Sequence, residues 1–187
     1  TAGFDGIAPL VPEGVTLLNA AGVHDASTSE MALVLTLAAL RDLPQSLHAQ
    51  DRSEWVHYVS RSLHGKTVAL VGYGGVGSNT EKRLLPFGCT VQPFATHARD
   101  HVRAIADLAE FLPQADVVIL TVPLNDSTRG LVDADFLARM KLGALLVNVA
   151  RGPVVVTSAL LDAVNSGHIQ AALDVTDPEP LPADHPL

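Results

Sequence analysis

From residue 65 onward, short apolar runs alternate with stretches of helical period. The runs predict strands over 67–71, 90–94, 116–120, 144–149 and 170–174. The spacing between them predicts helices over 75–85, 105–111, 133–140 and 158–166. Val117-Val118-Ile119-Leu120 and Leu145-Leu146-Val147-Asn148-Val149 are almost unbroken apolar runs, as strands covered on both faces require. Regular alternation of strand and helix implies right-handed crossovers and an α/β, doubly wound parallel sheet.

The first third reads differently. Short apolar runs alternate with Gly3, Gly6, Pro9, Pro12, Gly14 and Gly22, and 15–19 reads as a short strand. Ser27-Thr28-Ser29 before Glu30 predicts a helix start, with the helix running from 30 to about 45, near Pro44. It is apolar almost all round, so burial is expected, within a lobe or between subunits. Residues 46–64 are polar and carry His48, Trp55, His57, Tyr58 and His64. They read as a connector between two lobes, and the histidine spacing fits no metal site.

Composition narrows the function. The chain has 187 residues, 48% of them hydrophobic, enough for one packed domain and part of another. Aromatics make up only 4%, so Ala, Val and Leu must build the core. Twelve basic against 20 acidic residues give a net charge of −8, which argues against nucleic acid as a partner. Phosphate recognition must then be local and made by backbone amides. The single cysteine, Cys89, excludes an intramolecular disulfide and a cysteine zinc cluster. It reads as a small buried hydrophobe, and a reducing, cytoplasmic setting fits. The longest apolar run, 31–40, is too short for a bilayer, which needs about 20 residues. The chain starts at Thr1 and stops in a turn-like Asp184-His185-Pro186-Leu187, so both ends read as cuts through a longer protein.

The chemistry begins at Gly72-Tyr73-Gly74-Gly75-Val76-Gly77, which follows a predicted strand and opens a predicted helix. In that context G-x-G-x-x-G is a dinucleotide fingerprint of the Rossmann type. Gly72 permits the sharp turn, Gly74 lets the backbone approach a diphosphate, and Gly77 lets the helix pack on the strand. Gly75 and Val76 add amides at the helix start, where anions bind. An NAD site usually has Asp or Glu after the second strand. Here Ala95, Thr96, His97 and Arg99 follow Phe94, and no carboxylate appears before Asp100. A 2′-phosphate would not be repelled there, so NADP(H) is favoured over NAD(H).

These runs, taken with others, resemble the D-isomer-specific 2-hydroxyacid dehydrogenases. The resemblance is carried by Ala2-Gly3-Phe4-Asp5, Thr28-Ser29-Glu30, the glycine turn, and the run from Ala115 through Thr121-Val122-Pro123-Leu124. Thr128-Arg129-Gly130-Leu131, the run ending in Ala150-Arg151-Gly152, and Ala172-Leu173-Asp174-Val175 leading to Glu179-Pro180 complete it. It implies hydride transfer between NAD(P)H and a small 2-oxo or 2-hydroxy acid. Arg151 then binds the substrate carboxylate and carbonyl, a role its planar fork of donors suits. By the same resemblance Glu179 pairs with a catalytic histidine, Asp174 contacts the nicotinamide carboxamide, and the Ala2-Gly3 loop holds the carboxylate. Val122, Pro123 and Ala150 flank the cofactor, with Thr28 and His24 near the nicotinamide, and a homodimer is implied for the intact protein. Residues 1–28 become a remnant of a substrate lobe, 29–64 the helix and connector, and 65–187 the dinucleotide-binding domain.

The chain departs from that pattern in several respects, among them Val154-Val155-Val156, which lacks the acidic residue often seen after the arginine strand. The family histidine is expected beyond Leu187, since His185 follows Glu179 by only six residues in a turn-like stretch. The piece is therefore expected to turn over poorly. Polar Asn79-Thr80 also occupies helix positions where aliphatic residues are usual. The competing readings are a non-catalytic NAD(H) sensor of the same fold, which would not need Arg151 or Glu179, and a domain for another adenine nucleotide.

Overall fold

The computed structural model describes residues 7–187. Its single sheet holds β1 (Thr67–Val71), β2 (Thr90–Ala95), β3 (Arg103–Ala104), β4 (Val117–Leu120), β5 (Ala144–Asn148) and β6 (Ile169–Leu173). The strand order is β3-β2-β1-β4-β5-β6, and every pairing is parallel. This is the Rossmann order, in which the winding reverses between β1 and β4. The five strands expected from the apolar runs are all present, each within a residue of its expected ends. The two-residue β3 on the sheet edge was not expected, being too short to leave a periodic signature.

Alternate residues of each strand point to opposite faces. Ala69, Val71, Val118, Leu120 and Leu146 join one core with Phe111, Leu112, Phe136, Leu137 and Leu160. Val68, Leu70, Val117, Ile119, Leu145 and Val147 join the other, with Ala32, Leu40 and Leu84. Both faces are covered, which is why the runs cannot alternate with polar residues. Burying each Leu or Ile stabilises the fold by about 1.5–3 kcal/mol.

Most helices lie where the period places them: α3 (Gly75–Leu84), α5 (Ala134–Arg139) and α6 (Thr157–Asn165). The helix expected over 105–111 divides instead into a 3-10 turn, Ile105–Asp107, and a short α4, Leu108–Phe111. Thr80 is buried on α3 and returns its hydroxyl to Val76 O at 2.8 Å, while the Asn79 amide donates to Gly75 O at 2.9 Å. These polar side chains are satisfied within their own helix, so the packing on the sheet survives. Cys89 is buried just before β2, and burial pushes its thiol pKa up.

The first third requires corrections. Helix α1 spans Asp25–Leu40, starting five residues before the expected Glu30. Thr28 N–H already donates to His24 O at 3.0 Å. Ser29 and Thr36 hydroxyls donate to carbonyls of Ala26 and Ala32, both at 2.7 Å, so these residues fit inside the helix rather than ahead of it. Pro44 does not close α1; it sits in the first turn of α2 (Leu43–Asp51), where a missing N–H costs nothing. The connector expected over 46–64 therefore begins as helix. Burial of α1 is one-sided: Ala32, Thr36 and Leu40 are covered, while Val34 is 58% exposed. The strand expected over 15–19 is absent, because no neighbouring strand among the described residues offers it a ladder.

Candidate functional site

β1 runs into Gly72, whose φ of +105° suits glycine. A Cβ there would also lie 2.7 Å from Thr121 C and Val122 N. Gly77 packs on the turn so closely that a Cβ would overlap the Gly72 carbonyl. Gly72 N–H donates to Phe94 O at 2.9 Å, and Thr121 Oγ1 donates to Gly72 O at 2.8 Å, tying β1 to both neighbours. Gly74 is the N-cap of α3; it has no side chain to cap the helix, and nothing lies within 4 Å of where its Cβ would be. The opening N–H groups of α3 therefore present the partial positive charge that draws an anion.

A cleft of about 260 Å³ lies at this mouth. It is lined after β1 by Gly74, Gly75 and Val76, and after β4 by Thr121, Val122, Pro123 and Leu124. Val149, Ala150 and Arg151 after β5 complete its wall, with Ala21, Gly22, His24, Asp25 and Thr28 from the start of α1. All three strand ends are carboxyl ends beside the reversal of winding, where ligands of such sheets bind. The structure thus brings together Thr28, His24, Gly74, Gly75, Val76, Val122, Pro123, Ala150 and Arg151, which the motifs had singled out. Ala21, Gly22, Asp25, Thr121, Leu124 and Val149 were not foreseen as site residues. Thr121 and Leu124 bracket Val122-Pro123, so extending that run by one residue each way would have found them; Asp25 left no signal.

Buried Asn148 shapes the Arg151 turn: its carbonyl oxygen accepts Ala150 N–H at 3.0 Å, and its amide donates to Arg151 O at 3.1 Å. Half-buried Arg151 donates from Nη1 to Ala150 O at 2.7 Å. Across the cleft, Thr128 Oγ1 donates to Pro123 O at 2.6 Å and accepts Asn125 N–H at 2.9 Å, pinning the loop after β4.

The loop after β2 stands apart. Ala95 ends the strand, and Thr96, His97 and Arg99 are exposed and do not line the cleft. Arg99 nevertheless has a defined place: Nη2 donates to Tyr73 O at 2.9 Å, and the guanidinium lies 5.9 Å from the Tyr73 ring centre. The Tyr73 hydroxyl donates to Glu81, and His101 Nε2 is 3.2 Å from Glu81 Oε1. Burial, then the Glu81 hydrogen bond and charge, push the Tyr73 phenol pKa up to about 12, with Arg99 acting against them.

The carboxyl-terminal candidates also lie outside the cleft lining. Asp174 is exposed just after β6, its N–H donating to Asn148 O at 2.9 Å. The chain then presses on Gly152, where a Cβ would overlap the Thr176 carbonyl, and Thr157 Oγ1 donates to Asp177 O at 2.7 Å. Glu179 is exposed beyond that contact, and His185 Nδ1 accepts Leu187 N–H. Ala2 and Gly3 lie outside the described residues. A larger hollow of about 630 Å³ lies beside α5 and α6, but its lining is mostly Ala and Leu and shares no residue with the cleft at the glycine turn. No helix among the described residues is long and apolar enough to cross a membrane.

The D-isomer specific 2-hydroxyacid dehydrogenase NAD binding domain matches residues 33–187. The chain is 35% identical over 185 residues to the chloroplastic/mitochondrial formate dehydrogenase of Arabidopsis thaliana, covering 92% of this chain and 48% of that one. A D-isomer specific 2-hydroxyacid dehydrogenase from Xanthobacter autotrophicus Py2, solved with NADPH and MES, is similar at a TM-score of 0.87 and 32% identity, over 100% of this chain and 62% of that chain. The NAD-dependent formate dehydrogenase of Staphylococcus aureus, solved with NAD, is similar at a TM-score of 0.80 and 32% identity, over 89% and 52%. The chain thus spans about half the length of the curated formate dehydrogenase it matches. Sheet order, glycine mouth and sequence agree: the chain belongs to the D-isomer-specific 2-hydroxyacid dehydrogenase family.

Proposed function

We propose that the protein transfers a hydride between NAD(P)H and the carbonyl carbon of a small 2-oxo acid, with the reverse reaction on the D-2-hydroxy acid. The observation that carries this is the convergence of the α3 mouth and Arg151 on one cleft. The residues present fit a dinucleotide: the uncapped amides at Gly74, Gly75 and Val76 would hold the diphosphate, and Thr121 to Pro123 and Ala150 would flank the nicotinamide half. When bound, the nicotinamide supplies or accepts the hydride.

The protein contributes orientation and charge. Arg151 binds the substrate carboxylate as a two-pronged donor and polarises the carbonyl oxygen. The Ala2-Gly3 segment adds backbone donors to that carboxylate. Asp174 holds the carboxamide, and Glu179 raises the pKa of a histidine that protonates the oxygen. The missing carboxylate after β2, together with Thr96, His97 and Arg99, supports a preference for NADP(H). In this reading residues 1–28 belong to a substrate lobe, 29–64 link the lobes, and 65–187 bind the cofactor. The exposed apolar side chains of Val34, Leu43, Leu47 and Trp55 support a homodimer, and the absence of paired cysteines supports a cytoplasmic setting.

Fluorescence titration of the intact protein with NADPH and NADH, followed by single-turnover reduction of glyoxylate or hydroxypyruvate, tests the proposal. Saturable binding and oxidation of the bound cofactor are expected. Absence of binding overturns the nucleotide reading, and binding without turnover replaces the enzyme with a sensor.

A further inference from the structure

The first turn of α1 carries Asp25 into the cleft, against the opening of α3. A Cβ built on Gly75 would lie 2.9 Å from Asp25 Oδ1 and closer still to Oδ2. Gly75 is a helical residue without a positive φ, so its backbone does not require glycine, and glycine inside a helix is costly. The space next to it does require glycine, because the Asp25 carboxylate fills it. A carboxylate at the positive end of a helix is favourable, and this one belongs to a neighbouring helix packed alongside.

We propose that Asp25 is a built-in competitor for the mouth of α3, holding the place of the cofactor's diphosphate until the cofactor arrives. This rests on the dinucleotide reading of the cleft. A diphosphate bridge brings two negative charges to the amides beside that carboxylate, and a carboxylate standing against Gly75 repels it. Binding therefore requires the side chain to turn away or to bear the repulsion, and either lowers affinity. Because Asp25 sits one residue from His24 and three from Thr28, its displacement couples cofactor entry to the segment leading into α1. Asp25 thus sets affinity for the diphosphate that NADH and NADPH share, independently of any choice made at the ribose.

The test is calorimetric titration of the intact protein and its Asp25→Asn and Asp25→Ser variants with NADH and with NADPH. Both variants are expected to bind both nucleotides about tenfold more tightly at low salt. The gain should shrink in 0.5 M salt, roughly one Debye length of 4 Å. Asp25→Glu, which keeps the charge, should show no gain. Equal or weaker binding by the folded neutral variants overturns the proposal while leaving the dinucleotide reading intact. Binding by none of the proteins overturns both.

Discussion

The two edges of the sheet are built on opposite principles. At the carboxyl edge, backbone is left bare: glycines crowd at Gly72 and Gly77, the N-cap of α3 has no side chain, and the loops after β1, β4 and β5 enclose a cleft. At the amino edge, charged side chains close the structure on itself. Asp116 accepts Lys141 Nζ at 2.7 Å and Thr67 N–H at 3.0 Å, with Lys66 Nζ at 3.5 Å. Arg61 donates to Gly143 O at 3.0 Å and also to Gln170. Strand β4 joins the two, beginning beside a satisfied carboxylate and ending at the cleft. One edge is closed by paired charges, while at the other the opening N–H groups of α3 face a cleft.

Perturbing each edge should therefore give different signatures. Gly72→Ala should have the largest effect, lowering the unfolding free energy by about 3 kcal/mol through a strained φ and a clash with the β4 loop. Urea denaturation measures this, and a loss under 1 kcal/mol would mean the turn is not close-packed. Arg151→Lys should leave stability and dinucleotide affinity nearly unchanged but lower kcat/KM for a 2-oxo acid roughly 10–100-fold, by losing one of two charge-assisted hydrogen bonds. If the intact protein kept the parent's kcat/KM with this substitution, Arg151 would not be the carboxylate fork.

Ala95→Asp probes a third region, the exposed loop after β2. It should shift preference from NADPH toward NADH by about tenfold, the new carboxylate repelling a 2′-phosphate and accepting ribose hydroxyls. An unchanged ratio of the two affinities would end the ribose argument.

The smallest effect belongs to the amino edge. Burial alone would raise the Asp116 pKa, but hydrogen bonds from Lys141 and Thr67 and the two lysine charges outweigh it and hold the pKa below the ordinary carboxylate range. A lowered folded pKa means the contribution is fully present above the unfolded value and is lost as pH falls through the folded one. Asp116→Asn should therefore cost about 1 kcal/mol at pH 7 and flatten the loss of stability as pH falls through and below the ordinary carboxylate range. Turnover should not change. Thermal melts across that range check the slope, and a variant as steep as the parent would show that Asp116 is not its source.

What the chain's pattern reveals divides along the same lines. The strands were legible because a sheet covered on both faces forces unbroken apolar runs, and the glycine turn because a hard steric requirement leaves few residue choices. Arg151 was legible through the family resemblance, with which its place after β5 agrees. The start of α1 was not: Ser27, Thr28 and Ser29 suit both a cap and a first turn, and the Ser27 and Ser29 hydroxyls turned back onto carbonyls of the first turn instead. The period of α1 suggested burial all round, yet only one face found a sheet to cover it. Glu179 and Asp174 carry the right chemistry by resemblance but lie outside the lining of the cleft.

The sequence by itself determined the α/β class, the five principal strands and the glycine mouth, because each follows from local sterics or from a period repeated along the chain. Tertiary structure alone decided which side chains share the cleft, that Arg99 rests on Tyr73, and that Asp25 stands against Gly75. Those pairs are 26 and 50 residues apart, and nothing in a one-dimensional pattern records a distance that only the packing of helices on the sheet creates.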